Sequence, residues 1–202
     1  MKNIRIKGKE ANISRAIART GIHDQPEISA LVRKATGGDV DAFGELYSIY
    51  LAPIYRYVFY HVRDEMTAED IAEEVFIKAW KAIDSCKGKE RTFSSWLYRI
   101  AHNHVVDKFR GKRNRLAVEM RIESLPGTSN IEKETEARLE WEQTLEAISR
   151  LPEKQKEIII LKFVEGMDNR EIEGITGKSQ NAIRVLQMRA LNTLWQRLHK
   201  EV

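Results

Sequence analysis

DNREIEGITGKSQNAIRVLQMRALNTL, residues 168–194, reads as two helices on either side of a tight turn. Asp168 with Glu171 three residues on makes a capping box, so a short helix runs over Asn169–Ile175. Thr176-Gly177-Lys178 is the turn, with Gly177 placed where the backbone needs left-handed angles. Ser179 is an N-cap for a second helix reaching about His199. Ile183, Leu186, Ala190 and Leu194 fall on one face of it and should pack onto the preceding helices.

The opposite face carries Asn181, Arg184, Val185, Met188 and Asn192, with Gln180 and Arg189 at its margins. That face suits a DNA reader. Arg184 can present a fork of donors to guanine, and Gln180 and Asn181 sit in the first turn, which reaches deepest into a major groove. Val185 and Met188 gain nothing from water but could meet thymine methyl groups. The plainer reading is a helical hairpin with a stray exposed valine and methionine. A helix-turn-helix alone is moderately specific, since many regulators carry one.

The rest of the chain is also helical in pattern, and no strand alternation stands out. Its 202 residues, 42% hydrophobic and 32% charged, allow two small domains. Between Asp39 and about Arg113 four helical segments are predicted. Gly37, Gly38, Gly88 and Arg63–Met66 mark breaks, and Pro53 suits the first turn of the second segment. A second block runs from about Glu134 to Val202, with Pro152 at a helix start. Between the blocks the charge changes sign. Lys108, Arg110, Lys112, Arg113 and Arg115 give way to Glu119, Glu123, Glu132, Glu134, Glu136, Glu140 and Glu142, around a Leu125-Pro126-Gly127 turn. This joint is either a solvated hinge or a segment touching polyanion at one end and cationic protein at the other.

No apolar run approaches the ~20 residues of a membrane span, and no apolar segment near Met1 resembles a secretory signal. A single cysteine, Cys86, excludes an intramolecular disulfide and suits a reducing cytoplasm. A net charge of +4 permits nucleic-acid binding without establishing it. The basic first 25 residues read as a flexible tail, with a presequence or a partner-binding arm as alternatives.

Two faces of the N-terminal block carry chemistry. The helix predicted over Thr67–Ile83, opened by Thr67 and Asp70, buries Ala72, Val75, Phe76, Ala79 and Ile83. Its other side shows Asp70, Glu73, Glu74, Ile77 and Lys81. An isoleucine inside an acidic face fits docking on a basic protein, against the alternative of a solvated surface. The next helix, about Phe93–Lys112, repeats Arg99, Asn103, Val106, Arg110 and Arg113 along one side, near the aromatics Phe93, Trp96 and Tyr98. A basic stripe beside aromatics suits a nucleic-acid strand. The loop Asp84–Thr92, with Lys87, Gly88, Lys89 and Arg91, could cradle an unstacked base. His102 and His104 point to different helix faces and make no metal site, and no nucleophile-and-base set or phosphate-binding loop is present. No cofactor is expected.

Jointly these segments resemble the extracytoplasmic-function sigma factors. The resemblance rests on Gly38-Asp39…Ala42-Phe43-Gly44-Glu45-Leu46-Tyr47, on Ala68–Trp80, on Phe93-Ser94-Ser95-Trp96-Leu97-Tyr98-Arg99-Ile100-Ala101-His102-Asn103, on Leu151-Pro152-Glu153-Lys154-Gln155 and on Ala182–Leu191. It implies two small all-α domains: sigma region 2 over 29–113 and a helix-turn-helix region 4 over 138–202. They would be joined by a linker over 114–137, after an extension over 1–28. It further implies that Asp70, Glu73, Glu74 and Ile77 dock on core RNA polymerase. Lys87, Lys89, Arg91, Arg99, Asn103, Arg110 and Arg113 would capture and open the −10 element as single strands. Ser179, Gln180, Asn181, Arg184, Val185, Met188 and Arg189 would read the −35 element as duplex. Many members also bind an anti-sigma factor. Catalysis would belong to the polymerase, so the chain is not itself an enzyme. Glu73 stands where the family commonly has Gln, Glu173 where Ala is usual, and Lys178 where an apolar residue is usual. The competing readings are a free-standing helix-turn-helix regulator, which leaves the N-terminal faces unexplained, a helical adaptor and a metal-dependent nuclease.

Overall fold

The computed structural model describes residues 26–113 and 144–198, and its described residues form helices and turns without a strand. The N-terminal block is four helices: α1 (Pro26–Ala35), α2 (Val40–Val62), α3 (Glu65–Ala82) and α4 (Phe93–Arg113). After a helical turn at 144–149 (α5), the C-terminal block contains α6 (Glu153–Ile159), α7 (Asn169–Thr176) and α8 (Gln180–Leu198). The first described helix thus begins within the stretch expected to be an extension.

Asp39 caps α2 by accepting the Ala42 amide at 3.0 Å, and Arg63 ends it in a left-handed conformation, φ 57°. Pro53 does not open a new segment; it lies inside α2. A mid-helix proline costs about 3 kcal/mol. Here Tyr50, Ile54, Tyr57 and Val58 are fully buried on both sides of it, and that burial holds the helix together. The start of α3 also differs from expectation. Asp64, not Thr67, is its cap, its carboxylate accepting the Thr67 amide at 2.8 Å. The expected loop before α4 is two 3-10 turns, Ile83–Cys86 and Glu90–Thr92, with Gly88 at φ 77° between them. Ile83 and Cys86 anchor the first turn in the core.

Pro152 sits at the cap position just ahead of α6. That helix widens into a π turn over Ile160–Val164, and the Glu165 amide closes it on the Ile160 carbonyl at 2.9 Å. The capping box forms as read: the Asp168 carboxylate accepts the Glu171 amide at 2.9 Å and Glu171 accepts the Asp168 amide at 2.7 Å. Gly177 ends α7 with φ 68°.

The two blocks share one hydrophobic core. A β-carbon on Gly174 of α7 would lie 4.0 Å from that of Ser95 in α4. Around this seam Arg56 donates two hydrogen bonds to Glu165, Tyr98 donates a third at 2.6 Å, and Arg63 donates to the Leu145 carbonyl at 2.8 Å.

Candidate nucleic-acid and partner interfaces

Helix α8 divides as its periodicity requires. Ile183 and Ala190 are fully buried and Leu194 nearly so, while Asn181, Arg184, Val185, Met188 and Arg189 are exposed, Met188 at 58%. Ser179 precedes the helix and its hydroxyl accepts the Ala182 amide at 3.4 Å. The Arg184 guanidinium donates to Asn181 Oδ1 at 3.1 Å, so the two recognition candidates are already aligned one turn apart. Gln180 donates to Glu173 at 3.0 Å and is half-buried. Glu173 and Lys178, the two unusual residues of the motif, are each paired: Glu173 with Gln180, and Lys178 with Glu157 at 3.2 Å.

On α3, Asp70, Glu73, Glu74 and Ile77 are exposed together, Ile77 at 53%. Beside them runs a groove of about 370 Å³ lined by Phe43, Tyr47, Glu73, Phe76, Ile77, Trp80 and Lys81. Phe43 packs on Trp80 at 4.8 Å between ring centres and Tyr47 on Phe76 at 4.7 Å. The acidic face is therefore half of a two-helix surface with an apolar floor. Glu74 also lies 3.1 Å from His104 Nδ1. Burial, with the Lys78 charge beside it, holds the His104 imidazole below its ordinary value.

The strand-capturing candidates are placed less uniformly. Lys87, Lys89 and Arg91 are exposed around the 3-10 turns, and Arg99 and Asn103 are exposed on α4. The side chains of Arg110 and Arg113 lie outside the described residues, as does the Glu-rich joint. Two of the three aromatics grouped with this stripe do not face it. Phe93 is buried against Tyr50 and Trp96, and Tyr98 is wholly buried against Tyr57 and Glu165; Trp96 alone is half-exposed. Tyr98 adjoins Arg99 in sequence, but a residue one step along a helix faces another way, and Tyr57 and Glu165 cover it. Cys86 is buried, its thiol pushed up to about 11 by desolvation. Among the described residues no cluster of His, Cys, Asp and Glu could hold a metal ion. Among them, too, no helix is long and apolar enough to cross a membrane.

Models of two protein families match the chain: Sigma-70 region 2 over residues 46–115 and Sigma-70, region 4 over residues 141–194. Over 155 residues it is 31% identical to the ECF RNA polymerase sigma factor SigW of Bacillus subtilis, covering 72% of this chain and 82% of that protein. The chain belongs to the extracytoplasmic-function sigma factors. It is also 38% identical over 178 residues to the ECF RNA polymerase sigma factor BldN of Streptomyces coelicolor, which takes in 85% of this chain. The sigma factor spans 66% of BldN's length, just under two thirds. In fold it is similar to CnrH in complex with the cytosolic domain of CnrY, with a TM-score of 0.67 at 24% identity, covering 87% of this chain and 99% of CnrH. A second likeness is to RpoE in complex with the anti-sigma factor NepR from Bartonella quintana, with a TM-score of 0.63 at 20% identity, covering 79% and 98%.

Sequence reasoning missed two parts of these surfaces in the sigma factor. Phe43, Tyr47 and Trp80 entered only as matching letters, because nothing local says that α2 and α3 leave a groove between them. The cluster of Arg56, Tyr98, His102, Glu157 and Glu165 was not seen at all. The available signal was faint: Glu157 and Glu165 flank Ile158–Val164, apolar but for Lys162, where a carboxylate can be buried only if something pairs with it.

Proposed function

We propose that this chain directs core RNA polymerase to promoters and opens the DNA there. In this reading the polymerase docks on the acidic face of α3 and the aromatic groove beside it. The loop at 84–92 and the Arg99/Asn103 side of α4, continued by Arg110 and Arg113, capture the −10 element as it unpairs. Helix α8 reads the −35 element through Arg184 and its neighbours. The linker over 114–137 would pass between the two domains, and the work would take place in the cytoplasm beside the polymerase. An anti-sigma factor, such as NepR is for RpoE, is a further expected partner.

The observation that carries this reading is Ile77, 53% exposed among Asp70, Glu73 and Glu74 and continuous with Tyr47 and Trp80. A free-standing helix-turn-helix regulator has no use for that groove, whereas a factor that must ride on a larger enzyme does. The deciding experiment is transcription in vitro from a promoter library with core polymerase. Specific starts that require this protein are expected. Tight sequence-specific binding by the chain alone, with no polymerase association, would instead establish the regulator.

A further inference from the structure

Of the residues proposed to dock on core polymerase, one is held from behind. Glu74 stands on α3 with 63% of its side chain exposed, yet its Oε2 lies 3.1 Å from Nδ1 of His104 on α4. The histidine has the opposite surroundings. Its side chain is 10% exposed, in the seam where the two helices pack. A carboxylate only accepts hydrogen bonds, so Nδ1 must carry the ring's hydrogen and donate it. Nε2 is buried and finds no partner among the described residues, so a second proton there would make a buried, unpaired N–H. Burial and the Lys78 charge, one turn past Glu74, oppose that proton; Glu74 and Asp107 favour it without prevailing. The ring is therefore neutral, with its one donor aimed at a carboxylate that reaches into water.

An ion pair between two solvated side chains is worth little, because both must be ordered to make it. Here the core has already ordered the ring, and only Glu74 loses freedom. The side chains of Asp70 and Glu73, on the same face, have no hydrogen bond or ion pair among the described residues. Ordering a long side chain in advance removes that cost from the binding step. Resting on the docking role proposed above, we infer that His104 is a positioning residue for core polymerase: from α4 it fixes the Glu74 carboxylate in the orientation that a cationic docking surface meets. The helix proposed to hold the unpaired strand through Arg99 and Asn103 thus also sets one residue of the docking face.

The contact and its role are tested separately. Histidine ring-nitrogen NMR shifts of the isotope-labelled full chain locate the hydrogen without any polymerase. It is expected on Nδ1, and Glu74→Ala should move population to Nε2. In anisotropy titrations against core polymerase, His104→Leu should weaken binding about threefold to tenfold. His104→Asn, whose amide nitrogen stands near the place of Nδ1, should stay within about twofold of the wild type. In a Glu74→Ala background His104→Leu should cost no more than about 1.5-fold, since the interaction it removes is already gone. If His104→Leu loses its helical circular dichroism, His104→Phe takes its place. A tautomer indifferent to Glu74→Ala, or a His104→Leu effect undiminished in that background, would overturn the positioning role. So would wild-type affinity in His104→Leu; only if Glu74→Lys also binds like the wild type does the docking face fall with it.

Discussion

Arg184 and Asn181 share the open face of α8, one helical turn apart and hydrogen-bonded at 3.1 Å. Truncation of an arginine that reads a base edge costs about 1–3 kcal/mol, the loss expected here if the proposed function holds. Arg184→Ala should therefore lower −35-dependent initiation by roughly 5- to 150-fold and leave affinity for core polymerase unchanged; a titration of core binding beside run-off transcription separates the two. Glu74→Lys should do the reverse, weakening core binding by anisotropy titration while promoter preference stays as it was. If promoter choice alone changed, the docking face would have been misassigned. His61 makes a prediction of another kind. It is buried against the Tyr57 ring, with Glu153 3.8 Å from Nδ1, too far to hydrogen-bond. Burial holds its pKa below the ordinary 6.5, so the folded state favours the neutral ring. A depressed histidine contributes stability above its unfolded pKa, and that contribution is lost as pH falls below about 6.5. The midpoint of thermal unfolding should drop between pH 7.5 and 5.5, and His61→Phe should make that slope shallower. An unaltered slope would place the titration elsewhere. Arg184 and Glu74 were legible from helical period alone, because exposed faces follow from spacing. Tyr98 was not, because its face is covered by residues 67 positions further along.

At the level of elements, the turn between α7 and α8 is where local sequence has the most authority. Gly177 stands at φ 68°, a conformation that costs a residue with a β-carbon about 1–2 kcal/mol. The Asp168 capping box is worth about 1 kcal/mol. Gly177→Ala and Asp168→Ala should each lower the denaturant midpoint by amounts of that order, with the m-value unchanged. A larger loss in Gly177→Ala with a changed m-value would mean that the turn also fixes how the helix-turn-helix docks on α4. These boundaries were readable because capping and left-handed turns are decided within a few residues. The start of α3 and the path through Pro53 were misjudged for the complementary reason. Asp64 reaches the Thr67 amide from outside the pattern that announces the helix, and burial around Pro53 outweighs its local preference to begin one.

Across the whole molecule, the shared core and the buried ion pairs couple the two blocks. Thermal unfolding of the intact chain should accordingly show a single cooperative calorimetric transition, with equal calorimetric and van't Hoff enthalpies. Two resolved transitions would mean that the blocks melt independently and that the seam contributes little. Much about this protein was settled by sequence alone: an all-α chain, a helix-turn-helix whose second helix turns one face outward, an acidic helix bearing a misplaced isoleucine, and a basic stripe. All of these depend on spacing along one helix or on a cap and a turn, interactions of short range. Three features waited for the tertiary structure: the aromatic groove beside Ile77, the burial of Tyr98, and the closure of one block on the other through Glu165 and Glu157. Each depends on which surfaces meet. Arg56 and Glu165 are 109 residues apart, and no periodicity reports that two such side chains, one cationic and one anionic, meet at the seam.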